Sequence, residues 1–99
     1  MVKTFPRVQK TRRTPIYNIG AASRLVGLPI WTLRWIESHE LVSPRRTAGN
    51  QRLYSELDLD VLNTIRELME EKVNLAGIRV ILRMRGDPAG ASGGRKRRS

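Results

Sequence analysis

The chain has 99 residues, room for one small domain with a modest core, and carries 19 Lys plus Arg against 9 Asp plus Glu, a formal charge of +10. That excess points to a polyanionic partner, nucleic acid or an anionic membrane surface. No cysteine and a single histidine, His39, exclude a disulfide framework, a thiolate zinc site and a Cys/His catalytic pair. No acid pair, nucleophile-base pair or phosphate loop is present, so neither an enzyme nor a cofactor is expected. No apolar run approaches the roughly 18 residues of a membrane span, and no signal pattern follows Met1, so the expectation is a cytoplasmic protein without a membrane anchor.

The charge is uneven. Residues 1–15 hold five basic groups and no acid, and residues 86–99 hold four against Asp87. Both stretches have too little apolar surface to offset the entropy of ordering and are expected to be disordered basic tails flanking a domain over residues 16–85. Within that domain the first half is the basic one: residues 16–54 have five arginines against Glu37 and Glu40.

In chain order, Asn18 is a candidate N-cap for a helix over 19–26, with Ile19, Ala22 and Leu25 or Val26 on one side and Gly27 as its stop. Pro29 is tolerated at a helix start, and Ile30, Leu33 and Ile36 or Glu37 then repeat at helical spacing. Two short helices joined by Gly27 and Leu28 predict a helix-turn-helix. With Ile30 and Leu33 inward, Trp31, Thr32, Arg34, Trp35 and Ser38 face out, and a Trp-Arg-Trp stripe suits contacts with sugar, phosphate and base edges. The alternative is that both tryptophans fill the core and Ile30 is exposed.

"RRTAGNQRLY" predicts a β-hairpin turning at Ala48, Gly49 and Asn50. Its first strand brings Arg45 and Arg46. In its second, period two places Arg52 and Tyr54 toward a ligand and Leu53 inward, the alternative being an edge hairpin whose charges discourage aggregation. Ser55 with Asp58 reads as a capping box opening the longest helix, with Leu57, Val61, Ile65, Leu68 and Met69 on its apolar stripe. Asn74 caps a last helix carrying Leu75, Ile78, Ile81 and Leu82, stopped by Gly86. Its Arg79, Arg83 and Arg85 read as a solvated face. The expected fold is therefore mostly α, a winged helix-turn-helix with a small β-hairpin wing and a following helix pair.

Residues 17–82, "YNIGAASRLVGLPIWTLRWIESHELVSPRRTAGNQRLYSELDLDVLNTIRELMEEKVNLAGIRVIL", resemble the DNA-binding domain of the MerR family of bacterial transcription regulators. "VNLAGIRVIL" looks like the HspR-type heat-shock repressors and, less closely, the GlnR-type nitrogen regulators. The resemblance implies a non-enzymatic, sequence-specific binder of double-stranded DNA, with repression of stress genes as the favoured branch. By position, it implies that the second helix enters the major groove with Thr32, Arg34 and Trp35 near DNA, and that Arg52 and Tyr54 of "RLY" bind phosphate. HspR-like proteins use the chaperone DnaK as co-repressor, which makes a DnaK-type chaperone an implied partner. This chain departs from the family at Pro29, where a Ser or Thr cap is usual, and at Trp35-Ile36-Glu37, where many relatives have an aromatic pair before the acid. Beyond Gly86 no apolar heptad follows, so either the sequence is cut short of a dimerisation region or the protein assembles only on DNA; alone, this chain is expected to be a monomer. The rival readings are an excisionase-like DNA-architectural protein and an RNA or membrane-surface module driven by the basic tails.

Overall fold

A computed structural model describes residues 11–86 of the chain. It contains β1 (Tyr17–Asn18), α1 (Ile19–Val26), α2 (Ile30–Ser38), β2 (Arg45–Arg46), β3 (Arg52–Tyr54), α3 (Glu56–Glu70) and α4 (Leu75–Arg85). The fold is mostly helical with a three-stranded antiparallel sheet in the order β1-β3-β2. This is the expected winged helix-turn-helix, with β2 and β3 as the wing, and β1 is an addition that the sequence pattern did not single out. Two residues are too short to show a period, and β1 exists because β3 supplies its partners: Tyr17 pairs with Tyr54 and Asn18 with Leu53.

The predicted caps are present. Asn18 Oδ1 accepts from Ala21 N at 2.8 Å, and Asn74 Oδ1 accepts from Gly77 N at 2.9 Å. Ser55 and Asp58 complete the capping box in both directions. Gly27, at φ 75°, ends α1 in the left-handed conformation that a side chain resists, and its N–H donates to Ser23 O, which lets Leu28 and Pro29 turn the chain into α2.

One core joins all the helices. Ala22 and Val26 of α1, Leu33 and Ile36 of α2, Val61, Leu62 and Ile65 of α3, and Ile78 and Leu82 of α4 are all buried, with Leu41, Val42 and Tyr54 from the connections and the sheet. Arg66 on α3 holds the helix-turn-helix to this scaffold at a polar point, its Nη1 donating at 2.7 Å to the otherwise orphaned carbonyl of Val26.

Three expectations are corrected here. Ile30 is partly exposed and Thr32 buried, because the inward stripe of α2 runs Thr32, Leu33, Ile36, with Thr32 one turn below Ile36; Ile30 sits at its edge. Tyr54 is buried rather than facing a ligand. Arg52 and Tyr54 do share a face of β3, but that face is turned toward the helices: Arg52 meets Glu37 of α2 and Tyr54 enters the core. Part of the expected N-terminal tail is instead tied to the domain, since Arg12 O accepts from Leu57 N at 3.0 Å and the Arg12 guanidinium pairs with Asp60 and with Glu56 on α3. The remainder of both expected tails, residues 1–10 and 87–99, lies outside the described residues.

Candidate nucleic-acid interface

The site is built where α1, α2 and the wing converge. On α2, the burial of Leu33 and Ile36 turns Trp31, Arg34 and Trp35 outward. Trp31 is the more open at 71% exposure, while Trp35, at 38%, rests edge-on against His39 with ring centroids 4.6 Å apart. Beside them an open groove of about 570 Å³ is lined by Asn18 and Gly20 at the start of α1, Arg24, Ile30 and Arg34 on the two helices, and Asn50, Gln51 and Arg52 from the wing. Three guanidinium groups thus border one groove, at whose edge the N-terminal turn of α1 adds its partial positive charge.

The arginines differ in freedom. Arg24, Arg34 and Arg45 make no ion pair among the described residues, so their charge is available to an incoming anion. Arg46 and Arg52 instead share Glu37: Arg46 Nη2 lies 2.9 Å from Oε2, and Arg52 Nε pairs with Oε1. Arg46 also donates through Nη1 to Asn50 O at 3.1 Å, at the wing tip, where Asn50 takes the left-handed φ of 68°. Behind this cluster lies Tyr54, whose hydroxyl is buried without a hydrogen-bond partner among the described residues. Burial, reinforced by the negative charge of Glu37, pushes its phenol up to about 12 from the ordinary 10.

Of the eight residues picked from sequence, Trp31, Arg34, Trp35 and Arg45 are exposed on α2 and the wing, Arg46 and Arg52 are held beside them, and Thr32 and Tyr54 lie inside. Sequence reading missed Glu37, Arg24 and the polar lining from Asn18, Asn50 and Gln51. The signal for Glu37 was its rarity, one of two acids among 39 residues that hold five arginines.

The sequence signature described as "MerR HTH family regulatory protein" matches residues 17–85. The chain belongs to the MerR family. It is 42% identical over 74 residues to the HTH-type transcriptional regulator GlnR of Bacillus anthracis, covering 75% of this chain and 57% of that protein. It is also 42% identical over 80 residues to the putative heat shock protein HspR of Streptomyces coelicolor, covering 80% and 53%. The chain therefore spans just over half the length of these curated relatives. In structure it resembles the transcription regulator PbrR691 of Ralstonia metallidurans, solved in complex with lead(II), with a TM-score of 0.67 at 34% identity over 74% of this chain and 57% of that one. The fold is shared as well with HiNmlR, a MerR family regulator lacking the sensor domain and bound to promoter DNA, at a TM-score of 0.62 and 23% identity over 66% and 50%.

Proposed function

We propose that the chain is a sequence-specific, double-stranded DNA-binding transcription regulator, with α2 laid in the major groove and the wing on the flanking backbone. The observation that carries this reading is the groove between α1, α2 and the wing, bordered by Arg24, Arg34 and Arg52 and flanked by the outward Trp31 and Trp35. In it, Arg34 and the tryptophan rings reach base edges and sugar, while Arg24 and Arg45 meet phosphate. Thr32 and Tyr54 have no part in contact. Family membership, together with the promoter-bound state of HiNmlR, a protein of the same fold, supports a DNA-binding role.

Within the family, repression of stress genes is the favoured branch, supported by the HspR likeness, with a DnaK-type chaperone as co-repressor and two copies pairing on adjacent half-sites. Selection of bound sites from random duplex DNA tests the whole reading. A reproducible motif, enriched by the parent and lost when Arg34 is replaced by Ala, supports it; strong bending with indifference to sequence would turn the assignment to a DNA-architectural protein.

A further inference from the structure

Arg46 and Arg52 are direct cross-strand partners in the wing, a like-charge pair that by itself pushes two short strands apart. They stay in register beside a single carboxylate supplied by another element. Glu37 gives one oxygen to each arginine, and its side chain is only 21% exposed, where water screens the pairs less than at an open surface. From Arg46 the connection runs on to Asn50 O, so that a chain of polar contacts ties the recognition helix to the wing tip. The tip residues Asn50 and Gln51, with Arg52 of β3, line the same groove as Ile30 and Arg34 of α2.

We infer that Glu37 is a positioning residue for base selection: it fixes the width of the groove between α2 and the wing and neutralises one of the two charges of Arg46 and Arg52, which would otherwise attract any phosphate backbone. The inference rests on the DNA-binding reading above. Two consequences have opposite signs. Removing the carboxylate leaves two uncompensated arginines, which strengthens binding to random duplex and steepens its salt dependence by roughly one unit for the one freed charge. The same change releases the wing tip, which weakens discrimination, because base contacts need the reading groups held at fixed separation. An ion pair without a positioning role would change only the charge-driven affinity and salt slope and leave discrimination and the wing tip as they are.

The test uses the full chain and three measurements: thermal unfolding, duplex titration over a salt series with a selected site and a random sequence, and amide exchange at Asn50 and Gln51 without DNA. Glu37→Gln preserves shape and is expected to stay folded, exchange several-fold faster at the tip, bind random duplex more tightly with the steeper slope, and lose about fivefold or more in the selected-to-random ratio, the size of one lost base preference. Glu37→Asp keeps the charge but is one methylene too short to span both arginines, so it should lose discrimination with the random-duplex slope unchanged. Should Glu37→Gln unfold, Glu37→Asp still decides the point. A folded Glu37→Gln with parental tip exchange and parental selected-to-random ratio overturns the inference, whatever its salt slope. A parent that binds no duplex overturns the DNA reading and the selectivity claim together, while tip exchange still reports separately whether Glu37 holds the wing.

Discussion

Leu33 and Trp35 stand two positions apart on α2 and meet opposite surroundings, the first fully enclosed and the second partly open against His39. Leu33→Ala should therefore cost roughly 2 to 5 kcal/mol of stability by leaving a cavity, whereas Trp35→Ala should leave the unfolding transition near the parent's and lower duplex affinity. Thermal melts and DNA titration of the two variants check this, and a Trp35→Ala protein that unfolds like Leu33→Ala would place the ring in the core. Tyr54 gives a pH prediction. Its phenol stays neutral in the fold up to about 12, while in the unfolded chain it ionises near 10. The stability it confers is thus complete below pH 10 and is lost as pH rises from 10 through 12, by an amount on the order of 2 to 3 kcal/mol. Tyr54→Phe abolishes that contribution to the alkaline loss and, since the hydroxyl has no partner to forfeit, should match or exceed the parent's stability at neutral pH. Urea unfolding at pH 7 and pH 11 separates the two cases; a Phe variant weaker by more than 1 kcal/mol at pH 7 would mean that the hydroxyl holds a structural water.

At the level of elements, what was legible in the sequence was what local chemistry decides. Asn18, Ser55 and Asn74 cap helices wherever they precede an apolar period, and Gly27 and Gly86 end helices because only they adopt φ near +70° without cost. What was not legible depended on partners distant in the chain: β1 forms against β3, the inward face of β3 is chosen by the helices that cover it, and Glu37 meets arginines 9 and 15 residues away. The misplacement of Thr32 has a similar origin, since period alone fixes which residues share a face and not which face is covered. In α4 local and distant terms oppose each other at Gly77. Alanine there should gain up to about 1 kcal/mol in helix propensity, yet its Cβ would stand 2.8 Å from Cγ1 of Val73, a stiff branched side chain packed on the core, and 3.4 Å from the capping Oδ1 of Asn74. The contact should win, so that Gly77→Ala lowers stability and Asn74→Ala lowers it by about 1 kcal/mol through the lost cap. Chemical denaturation of both variants decides, and a stabilised Gly77→Ala would show that Val73 moves aside freely.

For the whole molecule the open question is how its charge is divided between selecting a site and holding on to DNA. A net six of the ten formal positive charges belong to residues 1–10 and 87–99, none of which is among the described residues that line the groove proposed to read sequence. Charges of that kind add attraction to every phosphate backbone alike and carry no base preference. A chain cut to residues 11–86 should therefore keep its selected-to-random ratio while its affinity for all duplexes falls together. The salt dependence should flatten by up to roughly six units of slope, if each of the seven basic groups removed neutralises one phosphate. The N-terminal cut must fall before Thr11. Starting at residue 16 would also delete the Arg12 carbonyl that receives Leu57 N and the guanidinium that joins Asp60 and Glu56 at the start of α3, so that version should melt at a lower temperature than 11–86. Melting curves for both versions, with titrations of 11–86 against selected and random duplexes from low to moderate salt, test the division. If the ratio collapses while 11–86 remains folded, the tails take part in base selection, and the groove between α2 and the wing is an incomplete reading site.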